Sequence, residues 1–189
     1  MMKTLRLLLA SLAALTATLR ADEFVEAVNS ALKSYQEGKL AESSTSLQTA
    51  LNLLNEKRGA SLSSVLPDEI SGWKGGKVES ASLAALGGGN TVERGYRKGE
   101  KKATVSIAAD SPLLSQVSSF LSNPALGGLL GIKQKKVGDL TAMLHAKEGL
   151  LQMVVNNRFL VQIQGKKLSE DELAELAGGV KVDVLKGMK

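Results

Sequence analysis

The chain predicts an α+β fold: an N-terminal helical hairpin, then a mainly antiparallel six-stranded sheet in the order βββα-βββα with helices on one face. Three observations carry this expectation. Apolar residues recur at spacings of three and four through the first third of the chain and switch to spacings of two after Trp73. The turn sequences "RKGEKK" and "KEGL" and the pair Asn156–Asn157 join neighbouring runs tightly enough to make meanders. Two helix-start signals, Ser111–Pro112 and Ser169 with Glu172, follow the third and the sixth of these runs.

Residues 1–21 read as a secretory signal peptide. Lys3 and Arg6 precede an uncharged, mostly apolar run from Leu7 to Leu19, which at 13 residues is too short to cross a bilayer. Cleavage after Ala17 or after Ala21 leaves Leu at the −3 position, and cleavage after Thr16 leaves Thr at −1. The mature N-terminus is therefore expected between Ala17 and Asp22, and the protein in the periplasm, with an uncleaved membrane anchor as the alternative. The absence of Cys removes lipidation, disulfides and thiolate metal sites from consideration. Loss of Lys3, Arg6 and Arg20 would reduce the net charge of +5 to 21 cations against 19 anions. With so little excess charge and so few aromatics, nucleic-acid binding has no electrostatic or stacking basis.

Residues 22–58 form the hairpin. Phe24, Val28, Ala31 and Tyr35, widened by Val25 and Leu32, make one helical stripe. Gly38 suits the left-handed residue after a helix, and a second helix from about Leu40 to Asn55 carries Leu47, Ala50, Leu51 and Leu54. These two stripes exceed what a pair of helices can hide from each other, so the hairpin is expected to dock on the sheet or to associate. Gly59, the serines and Pro67 then break periodicity, so residues 59–72 read as a linker leading into the α+β domain, residues 73–189.

Within that domain, strands are expected at about Lys74–Leu83, Thr91–Arg97, Lys101–Ala109, Asp139–Ala146, Leu150–Val155 and Arg158–Gln164. The clearest is "KATVSIAAD", which places Ala103, Val105, Ile107 and Ala109 on one face and Thr104 and Ser106 on the other. The helix opened by Ser111–Pro112 should bury Leu113, Leu114, Val117, Phe120 and Leu121 and stop before Asn123–Pro124. The helix opened by the capping box of Ser169 and Glu172 should bury Leu173, Leu176 and Ala177, its acidic first turn facing water.

Two resemblances follow from these residues. "SYQEGKLAESSTSLQTALNL" resembles one tetratricopeptide unit, matched at Tyr35, Gly38, Leu40, Leu47, Ala50 and Leu51. It departs at Ser43, where the family prefers Ala, and at Asn55, where Pro is common. A solenoid needs about three such units, so a lone one must pack on something else. The succession "LPDEISGW", "YRKGEKKATVSIAADSPLL", "LSNPAL" and "LLQMVVNNRFLVQIQG" resembles a group of small secreted proteins of Gram-negative bacteria that join a helical hairpin to an LP…GW domain. That resemblance implies a periplasmic location and transfers no site residue.

Chemistry is poorly represented. His145 is the only histidine, which with no Cys excludes the familiar zinc sets and Cys–His dyads within one chain. "GWKGGKVES" and "ALGGGNTVE" lack phosphate-loop spacing, and no G-x-S-x-G elbow presents a nucleophile. No cofactor, metal or catalytic residue is assigned. The expectation is a non-catalytic binding or assembly protein that meets another envelope protein or a second copy of itself, with Tyr35, Leu47 and Leu51 as contact residues. The stretch "NPALGGLLGIKQKK" supplies a second candidate surface in Leu126, Leu129, Leu130 and Ile132. These residues are expected mainly to cap the core. An envelope-surface or apolar-ligand contact, aided by Lys133, Lys135 and Lys136, is the alternative, and an enzyme of unrecognised type the remaining one.

Overall fold

The computed structural model describes residues 23–82, 89–129 and 131–188, with the backbone alone at Ser82, Leu126 and Leu129. The expected signal peptide, residues 1–21, lies outside the described residues. The chain divides between Lys57 and Arg58 into two compact units.

The first unit is a helical hairpin. Helix α1 covers residues 23–36 and helix α2 spans Leu40–Ser63, running on past the unit boundary. Gly38 makes the turn between them at φ +75°, a left-handed conformation that favours glycine. The interior of the hairpin holds small residues: Ala31, Ser34, Ser43 and Ala50 are buried. Small side chains let two helices approach closely, and they leave Leu32, Leu40, Leu47, Leu51 and Leu54 outside. The departure from the tetratricopeptide pattern at Ser43 is accommodated because its hydroxyl donates to Ala31 O at 2.9 Å.

The second unit opens with the last turns of α2. The expected linker is thus in part helix. Gly59 does not end α2; a Cβ there would lie 2.5 Å from Ser80 Oγ, so the missing side chain permits close approach to a strand. Leu62, Val65 and Leu66, just beyond it, are buried in the main core. Their burial outweighs the roughly 1 kcal/mol that glycine costs inside a helix.

The sheet has eight strands, not six. In chain order they are β1 (Glu69–Ile70), β2 (Trp73–Ser82), β3 (Asn90–Lys98), β4 (Lys101–Ala109), β5 (Lys133–Val137), β6 (Leu140–His145), β7 (Leu150–Val155) and β8 (Phe159–Gln164). They lie in the order β1-β2-β3-β4-β8-β7-β6-β5, every neighbouring pair antiparallel. The two strands that periodicity missed, β1 and β5, are the sheet edges. β1 is two residues long, and β5 reads "KQKKV", an edge blunted by lysines instead of an apolar alternation.

Helices cover both faces, not one. Helix α3 (Leu114–Ser122) and the short α4 (Pro124–Leu129), with Pro at its first position, follow β4; α5 (Glu170–Gly178) and α6 (Val182–Gly187) follow β8. Val161 and Ile163 of β8 point into the main core with Leu173, Leu176 and Ala177 of α5. Leu160 points the other way, to a smaller cluster with Val117, Ile132 and Met143, against which Leu114, Phe120 and Leu121 pack. Leu113, expected in that core, is exposed. Each half of the sheet is therefore a four-stranded meander followed by a nine-residue helix, joined through β4 and β8. The helices land on opposite faces, so the repetition is one of chain order and not of packing.

The "LPDEISGW" segment is a strap pinned by alternate residues of β3. The Arg94 guanidinium donates to Leu66 O at 2.9 Å and Gly76 O at 2.7 Å, and pairs with the Asp68 carboxylate. Tyr96 Oη donates to Pro67 O at 2.7 Å, and Lys98 Nζ to Ser71 O at 2.9 Å. Trp73, fully buried, donates from Nε1 to Glu175 Oε2 of α5 at 3.2 Å. The residues that carry the second resemblance thus build the fold.

Candidate functional site

Three surfaces of the described residues invite a partner. On the hairpin, helical spacing sets Val25, Val28, Leu32 and Tyr35 along α1, and Leu40, Leu47, Leu51 and Leu54 along α2. All are exposed: Tyr35 is 65%, Leu47 50% and Leu51 52% accessible. Among the described residues the other exposed large apolar side chains are Leu113 and Val184. Within the hairpin unit itself, these side chains lie outside its buried interior. The stripe's exterior position follows from the small-residue interior of the hairpin, which helical periodicity alone does not reveal.

The second surface is the glycine-rich stretch before β5. Ile132 is buried beside Val117, Met143 and Leu160, so it caps the smaller core as expected. The side chains of Leu126 and Leu129, and all of Leu130, lie outside the described residues. The lysines nearby are engaged. Lys133 Nζ meets Glu170 Oε1 at 2.8 Å, Lys135 Nζ meets Asp171 Oδ1 at 2.8 Å, and Lys136 Nζ donates to Thr141 Oγ1 at 2.9 Å. Lys101 Nζ similarly meets Glu172 Oε1 at 2.7 Å. The acidic first turn of α5 therefore faces lysines of β4 and β5 as well as water. The Asp171 carboxylate raises the Lys135 ammonium above its ordinary pKa, and the Lys101 ammonium lowers that of Glu172. Such exposed pairs add little to stability, but they consume positive charge that an anionic surface would need.

The third surface was not anticipated. On the sheet face opposite the main core, Ala108 of β4 packs with the smaller cluster, but Arg97 of β3 and Lys102 and Thr104 of β4 make the other end of that face polar. Register places Lys74 of β2 opposite Arg97 of β3, and Arg97 opposite Lys102 of β4. Their chain neighbours Trp73, Tyr96 and Ala103 are buried on the other face, so the three cations share the open one. They line a hollow of about 840 Å³ with Lys77, Thr104 and a single carboxylate, Glu79. An adjoining hollow of about 670 Å³ adds Lys166 and Lys167. Sequence reading missed this row because Lys74 reaches it only through a bulge between Gly75 and Val78, which shifts the register by one.

His145 lies on the β6 face shared with Met143, as the alternation predicts, and is 19% exposed. Its Nδ1 stands 3.9 Å from Glu148 Oε2, beyond hydrogen-bond reach, and its Nε2 has no partner among the described residues. No group of three or more potential metal ligands occurs among the described residues, and none of their helices is long and apolar enough to cross a membrane. Comparison of the chain with protein-family models, with curated proteins and with solved structures finds no match.

Proposed function

We propose that the chain is an exported, non-catalytic binding protein whose helical hairpin docks on another protein of the envelope. The observation that carries this reading is the outward stripe of Tyr35, Leu47, Leu51 and their neighbours. Contiguous apolar surface is rarely left to water without a use. Export rests on Lys3, Arg6 and the Leu7–Leu19 run, and places the mature N-terminus between Ala17 and Asp22. A binding role rather than catalysis rests on the sequence, in which His145 is the only histidine and no Cys occurs. The alternative contact through Ala125–Ile132 has less behind it, because Ile132 is buried and two of the three lysines beside it are paired with carboxylates.

The test is affinity capture from envelope extract with the mature wild type and with Leu47→Asp/Leu51→Asp. The expected result is a discrete captured protein, reduced at least tenfold by the double substitution. The unfolding midpoint of the sheet unit, read from Trp73 fluorescence, should stay unchanged, since neither leucine belongs to a buried core. Sedimentation velocity supplies the contrary outcome. Concentration-dependent dimerisation abolished by the same substitutions would identify a second copy as the occupant.

A further inference from the structure

The cation row on the open sheet face has a cost that its chemistry must offset. Cross-strand neighbours with like charge destabilise a sheet, yet Lys74, Arg97 and Lys102 stand side by side on three adjacent strands. Lys166 and Lys167, in the turn that follows β8, line the adjoining hollow together with Lys102. None of these cations makes an ion pair among the described residues, although lysines on the opposite face do. Lys98 pairs with Glu175 and Lys101 with Glu172. The floor beside the row is bare. Gly95 lies between Arg94 and Tyr96 on the open face, and a Cβ there would meet nothing within 4 Å.

We propose that this row binds a soluble ligand bearing several phosphate-type anionic groups. Neighbouring strands lie about 4.8 Å apart, so the cations repeat at a spacing that a chain of linked phosphates can follow. Arg97 offers a planar fork for two oxygens of one group, and the lysines offer point charges to the next. The Thr104 hydroxyl, on the same hollow, can donate to an oxygen. The hollow is concave, and none of the large apolar side chains that would anchor a bilayer contact is exposed on its rim. That favours a dissolved ligand over a membrane surface. Glu79, the one carboxylate on the larger hollow, sits in register with Glu93 and not with the cations, and Glu100 lines the adjoining one.

The probe is inorganic tripolyphosphate, titrated calorimetrically into the full-length protein in phosphate-free buffer at two ionic strengths. Wild type should bind, more weakly at the higher salt, and Arg97→Gln/Lys102→Gln should lose at least tenfold in affinity. The control Lys147→Gln/Lys181→Gln removes the same charge elsewhere and should bind within twofold of wild type. Relief of repulsion should also give the row variant a melting temperature equal to or above that of wild type, which separates lost binding from lost folding. No binding by wild type, or equal loss in both variants, overturns the proposal. So does sedimentation of the protein with phosphatidylglycerol vesicles in the absence of tripolyphosphate binding, since it would assign the row to a membrane surface.

Discussion

Arg94 satisfies two backbone carbonyls and one carboxylate from a single guanidinium that is 11% exposed, and Tyr96 satisfies a third carbonyl two residues on. Both act on the strap that leads from α2 into the sheet, so their loss should be felt well beyond β3. Charge-assisted hydrogen bonds contribute about 1.5–3 kcal/mol, and unpaired buried carbonyls add to the penalty. Arg94→Met is therefore expected to lower unfolding free energy by about 3 kcal/mol in urea titrations followed by Trp73 fluorescence, with the slope unchanged. Gly75 belongs to the same device, since a Cβ there would sit 2.6 Å from Arg94 Nε. Burial pushes the Tyr96 phenol up to about 12 from its ordinary value near 10. The unfolded chain then loses this proton before the folded one does, so the contribution is complete below about pH 10 and disappears as pH climbs towards 12. Tyr96→Phe should lose about 1 kcal/mol at neutral pH for the missing hydrogen bond. It should also flatten the decline of stability between pH 10 and 11.5 that wild type shows in urea midpoints. A variant that keeps the full alkaline decline would remove Tyr96 as its source.

Helix α5 shows how an element can be read almost completely from its sequence. Ser169 accepts from Glu172 N at 3.1 Å while the Glu172 carboxylate accepts from Ser169 N at 2.9 Å, the reciprocal capping that "SEDE" announces. Leu173, Leu176 and Ala177 are buried as their spacing requires. Ser169→Ala should cost about 1 kcal/mol, as loss of an N-cap generally does. Because Lys101 and the Ser169 amide hold the Glu172 carboxyl below its ordinary value, the Glu172 half of the box contributes above the carboxylate range and is lost on acidification, whereas the Ser169 hydroxyl acts at every pH. Stability curves of wild type and Glu172→Gln should accordingly converge as pH falls below about 4, where carboxylates take up protons; parallel curves would count against the Glu172 half of the capping account. Strands β4 and β7 were equally legible, with the expected bounds, because one clear alternation or a short apolar run fixes each. Strand β5 was hidden for a physical reason. An edge strand guarded by lysines buries only Val137 and so carries no alternation to detect. The hairpin was legible as two helices, and Ala31 and Ala50 of the two stripes are buried while the larger Tyr35, Leu47 and Leu51 are exposed, since periodicity locates an apolar stripe without saying which of its members a second helix covers.

At the scale of the whole molecule, the two units differ in what holds them together. The sheet unit has two buried clusters, with Trp73, Tyr96, Leu151 and Leu173 among their largest members. The hairpin unit buries Ala31, Ser34, Ser43 and Ala50 among its described residues, none of them large. The fold class was therefore readable, because helix and strand periods occupy separate stretches of chain. The cation row was not, because Lys74, Arg97 and Lys102 become neighbours only through a hairpin register and a bulge that no local pattern announces. The contrast in burial leads to a test of independence. Helices that bury little are marginal in water, whereas a sheet packed on both faces unfolds cooperatively. Trp73 is the sole tryptophan and lies in the sheet unit, so its fluorescence reports that unit alone, while ellipticity at 222 nm is weighted towards the long helices α1 and α2. In urea, ellipticity should begin to fall at a concentration where Trp73 emission is still native, and the two curves should not superimpose. A partner bound to the Tyr35–Leu47–Leu51 stripe should stabilise the hairpin by mass action and draw the first transition towards the second. Superimposable transitions in the protein alone would mean that α2, continuous from Leu40 to Ser63, couples the two units into one cooperative body.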